Sequence, residues 1–259
     1  MTLSSALMPG NVGRAGLMAA VVLLATAWLT LTPQAQAQTA AAVPDDQVEA
    51  GVAALERGHY AIAMRAFRAD AAKGNALAAS NIGYLYERGL GVPQNYAEAM
   101  AWYRKAAAQG LAQAQFNIGT LYFQGWGVER NTRESFAWFR RAALQNLAEA
   151  QYMVGLAYVE GHGTAPQAAL ALDWFLKAAR QGHPAAQMMA AQVFLSGDAG
   201  TAEPAKAYVW ADAAANAGLT DATLVRDYAS YRLTARELVR AQAASQACRQ
   251  SGFRDCPAP

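Results

Sequence analysis

Charge is scarce in this chain. Only 15% of its residues are Asp, Glu, Lys or Arg, and they nearly cancel, leaving a formal +2. That excludes the broad basic surface on which a nucleic-acid binder depends. Disorder is excluded as well. With 54% hydrophobic residues, the chain can bury enough apolar area to offset its conformational entropy. Histidine is limited to His59, His162 and His183. They form no H-x-x-x-H pair, so no local zinc signature exists. Neither G-x-S-x-G nor S-x-x-K occurs, which removes two common serine-nucleophile signatures. Strand-like runs of β-branched and aromatic residues are missing, whereas alanine is abundant throughout. The expectation is an all-α protein with no catalytic residues, no metal and no cofactor.

Cysteine is limited to Cys248 and Cys256. In an oxidising compartment two thiols this close are expected to pair, contributing about 2–3 kcal/mol through a short closed loop. The alternative is a redox-active pair, which usually has two intervening residues rather than the seven found here.

The one long apolar run points to such a compartment. Arg14 is the only charged residue before Asp45, and it precedes an apolar stretch from Ala15 to Leu31. Pro33 and the small-residue site Ala35-Gln36-Ala37 follow. This order is that of a secretory signal peptide over 1–37, cut after Ala37, with a linker over 38–44. The competing reading is an uncleaved inner-membrane anchor, because the run lies near the lower limit of ~17–25 residues for a span. A start at Met8 gives a more usual n-region. No cysteine near the cut marks a lipid anchor. The expected location is the periplasm.

What the chain has in plenty is internal repetition. Gly83, Gly119 and Gly155 stand 36 residues apart, as do Tyr86, Tyr122 and Tyr158. Trp102, Trp138 and Trp174 keep the same step, followed by Ala106-Ala107, Ala142-Ala143 and Ala178-Ala179. A fourth copy carries Phe194, Trp210 and Ala214-Ala215, with Ala191 in place of the central glycine. In the first copy Ala78, Ile82, Leu85 and Tyr86 fall on one face of a helix. Gly89-Leu90-Gly91 ends that helix, and Gly125/Gly127 and Gly161/Gly163 repeat the stop; these are turns rather than a nucleotide loop, since they follow a helix. A second helix opens at Asn95, with Glu98 completing a capping box that Asn131 and Glu134 repeat. Thr164 and Gln167 take that role in copy three, and Pro204 starts the helix in copy four. The second helix is expected to bury Ala99, Trp102 and Ala106. Arg104-Lys105, Arg140-Arg141 and Lys177 near its end favour the helix dipole.

The pattern A-x-x-x-I/V-G-x-x-Y-x-x-G-x-G followed by A-x-x-W-Y/F-x-x-A-A-x-x-G resembles the Sel-one-like repeat, a relative of the tetratricopeptide repeat. In copy one it is carried by Ala78, Gly83, Tyr86, Gly89, Gly91, Trp102 and Gly110. The resemblance implies an α-solenoid with four repeats over 76–219. Residues 45–75 form a degenerate unit marked by Gly51, Gly58, Tyr60, Ala63, Phe67 and Ala71. Residues 220–259 form a terminal half-repeat plus a capping helix, because open solenoid ends need polar caps. The paired cysteines of penicillin-linked relatives are missing.

By the same resemblance, the first helix of each unit lines a concave wall. The implied binding positions are Ser80, Tyr84 and Glu87, then Phe116, Thr120 and Phe123, then Tyr152, Leu156 and Val159, and last Met188, Gln192 and Leu195. Phe116 and Tyr152 also fit a second reading, packing between repeats. Tyr84, Phe123 and Leu156 are the positions expected to be exposed. The function expected is that of a non-enzymatic scaffold or regulator gripping a peptide or envelope-protein domain. No nucleic acid is involved, and no membrane after cleavage. The alternatives are a cell-envelope hydrolase or a peptidoglycan or glycan binder. For a glycan binder only the loop residue Trp126 is free, the other repeat tryptophans recurring at a core position.

Overall fold

In the computed structural model, residues 46–258 are described; the export segment, its cut site and the linker lie outside them. Among the described residues there are twelve α-helices and no strand. Every helix of the four repeats is 13 residues long, and the reason is local. The first helices, α3 (Ala76–Arg88), α5 (Ala112–Gln124), α7 (Ala148–Glu160) and α9 (Pro184–Ser196), each stop at a left-handed glycine. The φ angles of these glycines, Gly89, Gly125, Gly161 and Gly197, lie between 66° and 76°. Their N–H groups satisfy a carbonyl of the last turn that the helix cannot.

The second glycine of each G-x-G does a different job. A Cβ on Gly127 would stand 2.6 Å from the Tyr96 Cβ, at the start of the preceding second helix. Gly91 meets Tyr60 in the same way. The glycine therefore lets one unit's loop press on the previous unit's second helix.

The second helices are α4 (Tyr96–Ala108), α6 (Thr132–Leu144), α8 (Ala168–Arg180) and α10 (Pro204–Asn216). The Asn95 side chain accepts from the N–H groups of Ala97 and Glu98, and Asn131 does the same for Arg133 and Glu134. The expected return bond from Glu98 or Glu134 is not made. Their carboxylates sit in the first turn, where the dipole alone favours them. Copy three has no side-chain cap, since Gln167 occupies the cap position without bonding. Pro204 does open α10.

Each first helix pairs with its own second helix, which then packs on the next unit. A shorter pair, α1 (Asp46–Glu56) and α2 (Tyr60–Ala72), precedes the repeats. Helices α11 (Asp221–Tyr231) and α12 (Ala235–Gln250) follow them.

The repeat glycines within α3, α5 and α7 are packing devices. A Cβ on Gly119 would lie 2.7 Å from the Phe139 ring, and one on Gly83 or Gly155 would meet Tyr103 or Phe175 as closely. Tyr103, Phe139 and Phe175 are buried, and it is they, rather than the tryptophans, that cross the unit's interior. Gly51 and Phe67 repeat the arrangement in the first pair. In copy four both partners change together: Ala191 replaces the glycine and Ala211 the aromatic, and both are fully buried. The space lost at one position is regained at the other.

The tryptophan expectation is thus corrected in three copies. Trp102, Trp138 and Trp174 are half-buried. Lys105, Arg141 and Lys177 lie over their rings at 3.8, 4.3 and 4.0 Å. One helical turn separates each cation from its ring, so the ring face is shielded without entering the core. Of the four repeat tryptophans, Trp210 alone is fully buried, with its indole N–H donating to the Pro257 carbonyl at 3.1 Å.

Candidate functional site

The implied inner-wall positions lie along one edge of each first helix, which its own second helix partly covers through Phe139 on Phe116, Phe175 on Tyr152 and Tyr103 on Glu87. Of the twelve implied positions, Ser80, Phe116, Tyr152, Leu156 and Met188 are buried. Tyr84, Glu87, Thr120, Phe123, Val159, Gln192 and Leu195 are half-buried. For Phe116 and Tyr152 the packing reading is the one observed. Phe116 lies 5.3 Å from Phe139, and Tyr152 lies 6.0 Å from Phe175 and stacks on His183 at 4.9 Å.

Leu156 is a correction, being only 4% exposed. Its equivalents Tyr84 and Thr120 keep part of their surface exposed, and the Thr120 hydroxyl donates to the Phe116 carbonyl at 3.2 Å. The residues left facing outward include one row at a 36-residue step: Glu87, Phe123, Val159 and Leu195.

Chemistry changes along that row. At its first position the Glu87 carboxylate accepts from the Tyr103 hydroxyl at 2.8 Å. Burial pushes the Glu87 pKa up, opposed by that bond and by Arg88. Burial and Glu87 together push the Tyr103 phenol well above its ordinary value. In copy two, Phe123 sits 5.6 Å from the His162 ring and 5.7 Å from the Arg130 guanidinium. His162 in turn pairs with Glu160 at 2.9 Å. Burial raises the Glu160 pKa and the His162 charge lowers it. From copy three onward the row is apolar.

These groups do not assemble into a reactive centre. Among the described residues no three or more His, Cys, Asp or Glu side chains gather as metal ligands. His183 is held neutral, its pKa pushed down to about 4 by burial. Its Nδ1 accepts from the Ala186 N–H, so it acts as a helix cap. Trp126 is 39% exposed and stacks on Tyr96 at 5.2 Å. No described helix is long and apolar enough to cross a membrane. Cys248 and Cys256 are joined by a disulfide.

One set of residues was missed by stopping the repeat at residue 219. Carrying the 36-residue step once more from Met188, Gln192 and Leu195 reaches Leu224, Tyr228 and Tyr231 on α11. These are 72%, 50% and 86% exposed, far more than any of their equivalents. The register alone would have found them.

The comparisons agree with this architecture. The Sel1 repeat model matches residues 76–111, 112–147, 148–183 and 184–219. A protective antigen present in uropathogenic Escherichia coli strains, displaying an SLR fold, is 31% identical over 80% of this chain, with a TM-score of 0.71. The chain spans 46% of that antigen's length. A Sel1 repeat protein from Oxalobacter formigenes is 32% identical over 77% of this chain and 84% of its own, with a TM-score of 0.67. No curated protein matches the chain.

Proposed function

Because the chain belongs to the Sel1 repeat family, whose repeats commonly mediate protein–protein interaction, we propose that it is a non-enzymatic scaffold or regulator of the bacterial envelope. It grips a peptide or a domain of an envelope protein along its inner wall. The observation that carries this reading is the row Phe123, Val159 and Leu195, one half-buried apolar side chain per unit at a constant step. An extended segment can touch all three while Tyr84 and Glu87 engage its polar end.

Burying such groups against a partner contributes about 1.5–3 kcal/mol each before the costs of association. Replacing Tyr84, Phe123 and Leu195 together with serine therefore reduces affinity by orders of magnitude. The test compares partners captured from envelope extract by wild type and by the triple variant, with circular dichroism run alongside. A folded variant that captures the same partners equally well moves the binding surface elsewhere.

The periplasmic location rests on Arg14, the apolar run to Leu31 and the Ala35-Gln36-Ala37 site. Fractionation with N-terminal sequencing is expected to give a mature chain beginning at Gln38. Full-length protein in the inner membrane would overturn the location.

A further inference from the structure

In every repeat the first helix is covered by its own second helix, and α11 is the exception. After α11 the chain does not turn back beside it. Helix α12 packs instead on α10, where Ser245 and Arg249 donate to the Asp212 carboxylate. The face of α11 that meets a second helix in every other unit is left in water.

The register identifies that face. The position of Leu224 is that of Phe116 and Tyr152, which lie on Phe139 and Phe175 of their own second helices. The position of Tyr231 is that of Glu87, which takes a hydrogen bond from Tyr103 of its own second helix. Between them stands Asp227, at the position of the glycine that an aromatic ring crosses in copies one to three. Leu224, Asp227, Tyr228 and Tyr231 thus form a stripe at i, i+3, i+4 and i+7, the pattern by which one helix recognises another.

We infer that this stripe on α11 is a docking site for an amphipathic helix of another protein, which takes the place of a second helix and completes a fifth unit. The chemistry of the occupant follows from Asp227. In copies one to three the second helix lays an aromatic ring on a glycine at this point, and α11 offers the Asp227 carboxylate there instead. Asp227 is about two-thirds exposed, its Arg226 partner lies 2.9 Å away on the same helix, and that arginine also faces Asp212 at 3.6 Å. A helix presenting apolar residues to Leu224, Tyr228 and Tyr231, and a lysine or arginine to Asp227, matches both shape and charge. Leu224, Tyr228 and Tyr231 continue the register of the inner-wall positions Met188, Gln192 and Leu195, so the site adjoins that wall. Its test uses a helical probe and variants on α11 alone, so its failure leaves the inner-wall reading of copies one to four standing.

The probe is a peptide with the sequence of residues 168–182, this chain's own second helix from copy three. It carries Phe175→Lys, so that lysine stands opposite Asp227, and a lactam bridge on its solvent face holds it helical. Fluorescence anisotropy with the full chain is expected to give saturable binding. The same peptide with Phe175→Glu is expected to bind at least about tenfold more weakly, a difference of ~1.4 kcal/mol. The double variant Leu224→Ser, Tyr231→Ser is expected to weaken the lysine peptide by a similar factor. Asp227→Lys is expected to reverse the preference between the two peptides. All three positions are exposed, so circular dichroism and the melting temperature should not move. Equal binding of both peptides, or undiminished binding by the double variant, overturns the inference. So does a wild-type dimer in sedimentation that Leu224→Ser, Tyr231→Ser dissolves, because the occupant is then a second copy of this chain.

Discussion

Adding one methyl group to Gly119 should destabilise the protein as it stands and stabilise a variant that lacks the Phe139 ring. In the native unit the new Cβ would stand 2.7 Å from the ring, and overpacking of this kind costs about 1–3 kcal/mol. Phe139→Ala alone empties a buried aromatic site and costs about 3–5 kcal/mol. On that background Gly119→Ala refills part of the space and gains about 1 kcal/mol of helix propensity. Chemical denaturation of the four proteins in this cycle measures the reversal of sign, and strict additivity would mean the two residues do not share space. Copy four already carries the double change, as Ala191 and Ala211. The adjacent Trp138 behaves differently. It is half-buried under Arg141, so its replacement by alanine costs about 1–2 kcal/mol, less than a core aromatic. Periodicity made both positions legible in the sequence but could not say which of two neighbouring aromatics points inward. That choice depends on which ring meets the glycine, a contact between two helices. Leu156 eluded the sequence for a similar reason. Its register was right, but exposure at an inner edge depends on how closely neighbouring side chains close over it: Leu156 is buried while Leu195, the same residue type on the same wall, keeps part of its surface exposed.

Between elements, a row of glutamine pairs ties the first helix of a unit to the end of its own second helix, and its broken last rung can be repaired. Gln145 donates to Gln115 at 2.9 Å, and Gln181 donates to Gln151 at 2.8 Å. Gln187 continues the buried row, yet its Oε1 has no partner, because the residue after Gln145 and Gln181 in register is Ala217. Ala217 caps its helix with nearly the same backbone angles as Gln181. Ala217→Gln should therefore reach Gln187 and stabilise the protein by about 0.5–1.5 kcal/mol, measurable as a rise in denaturation midpoint. His183 sets a pH dependence at the start of α9. The unfolded imidazole takes up a proton near its ordinary 6.5, the folded one only near 4. Across that window the unfolded chain holds more protons, so stability from this residue is present above pH 6.5 and is lost as pH falls toward 4. Glu87 and Glu160, whose pKa values are raised, act in the opposite sense. The comparison must therefore be with His183→Asn, which keeps a capping side chain and should show a smaller loss between pH 7 and 4.5. An identical pH profile in the two proteins would remove His183 from the account. The ladder links residues of different helices, and the cap's burial depends on Tyr152 of another helix, which stacks on His183. The sequence announces them only as recurring Gln and as one isolated His.

Across the whole molecule, the two ends of the repeat array are finished differently, and the C-terminal end depends on a covalent tie. A solenoid is held by nearest-neighbour contacts, so disturbance at one end should stay there. Helix α12 is anchored on α10 through Asp212, and the Cys248–Cys256 disulfide keeps the segment after α12 folded back against it. That segment brings the Pro257 carbonyl to the Trp210 indole, and Phe253 to within 3.4 Å of where a Cβ on Gly182 would stand. Its effect is visible by comparison within the chain: Trp102, Trp138 and Trp174 are half-buried under a cation, while Trp210, with Ala213 where the cation would be, is fully buried. The tail replaces the missing cation as cover for the ring. Cys256→Ser, or reduction of the native protein, should release the tail and expose one indole. The closed loop is short, so the accompanying loss is about 2–3 kcal/mol, confined to α10, α11 and α12. Acrylamide quenching of tryptophan emission should rise on reduction in the native chain and stay constant in Trp210→Phe. Hydrogen exchange should quicken after residue 204 and remain unchanged in the first three repeats. If quenching does not respond once both thiols are shown to be free, then Ser245 and Arg249 on Asp212 suffice to hold the end, and the disulfide guards only the unfolded chain.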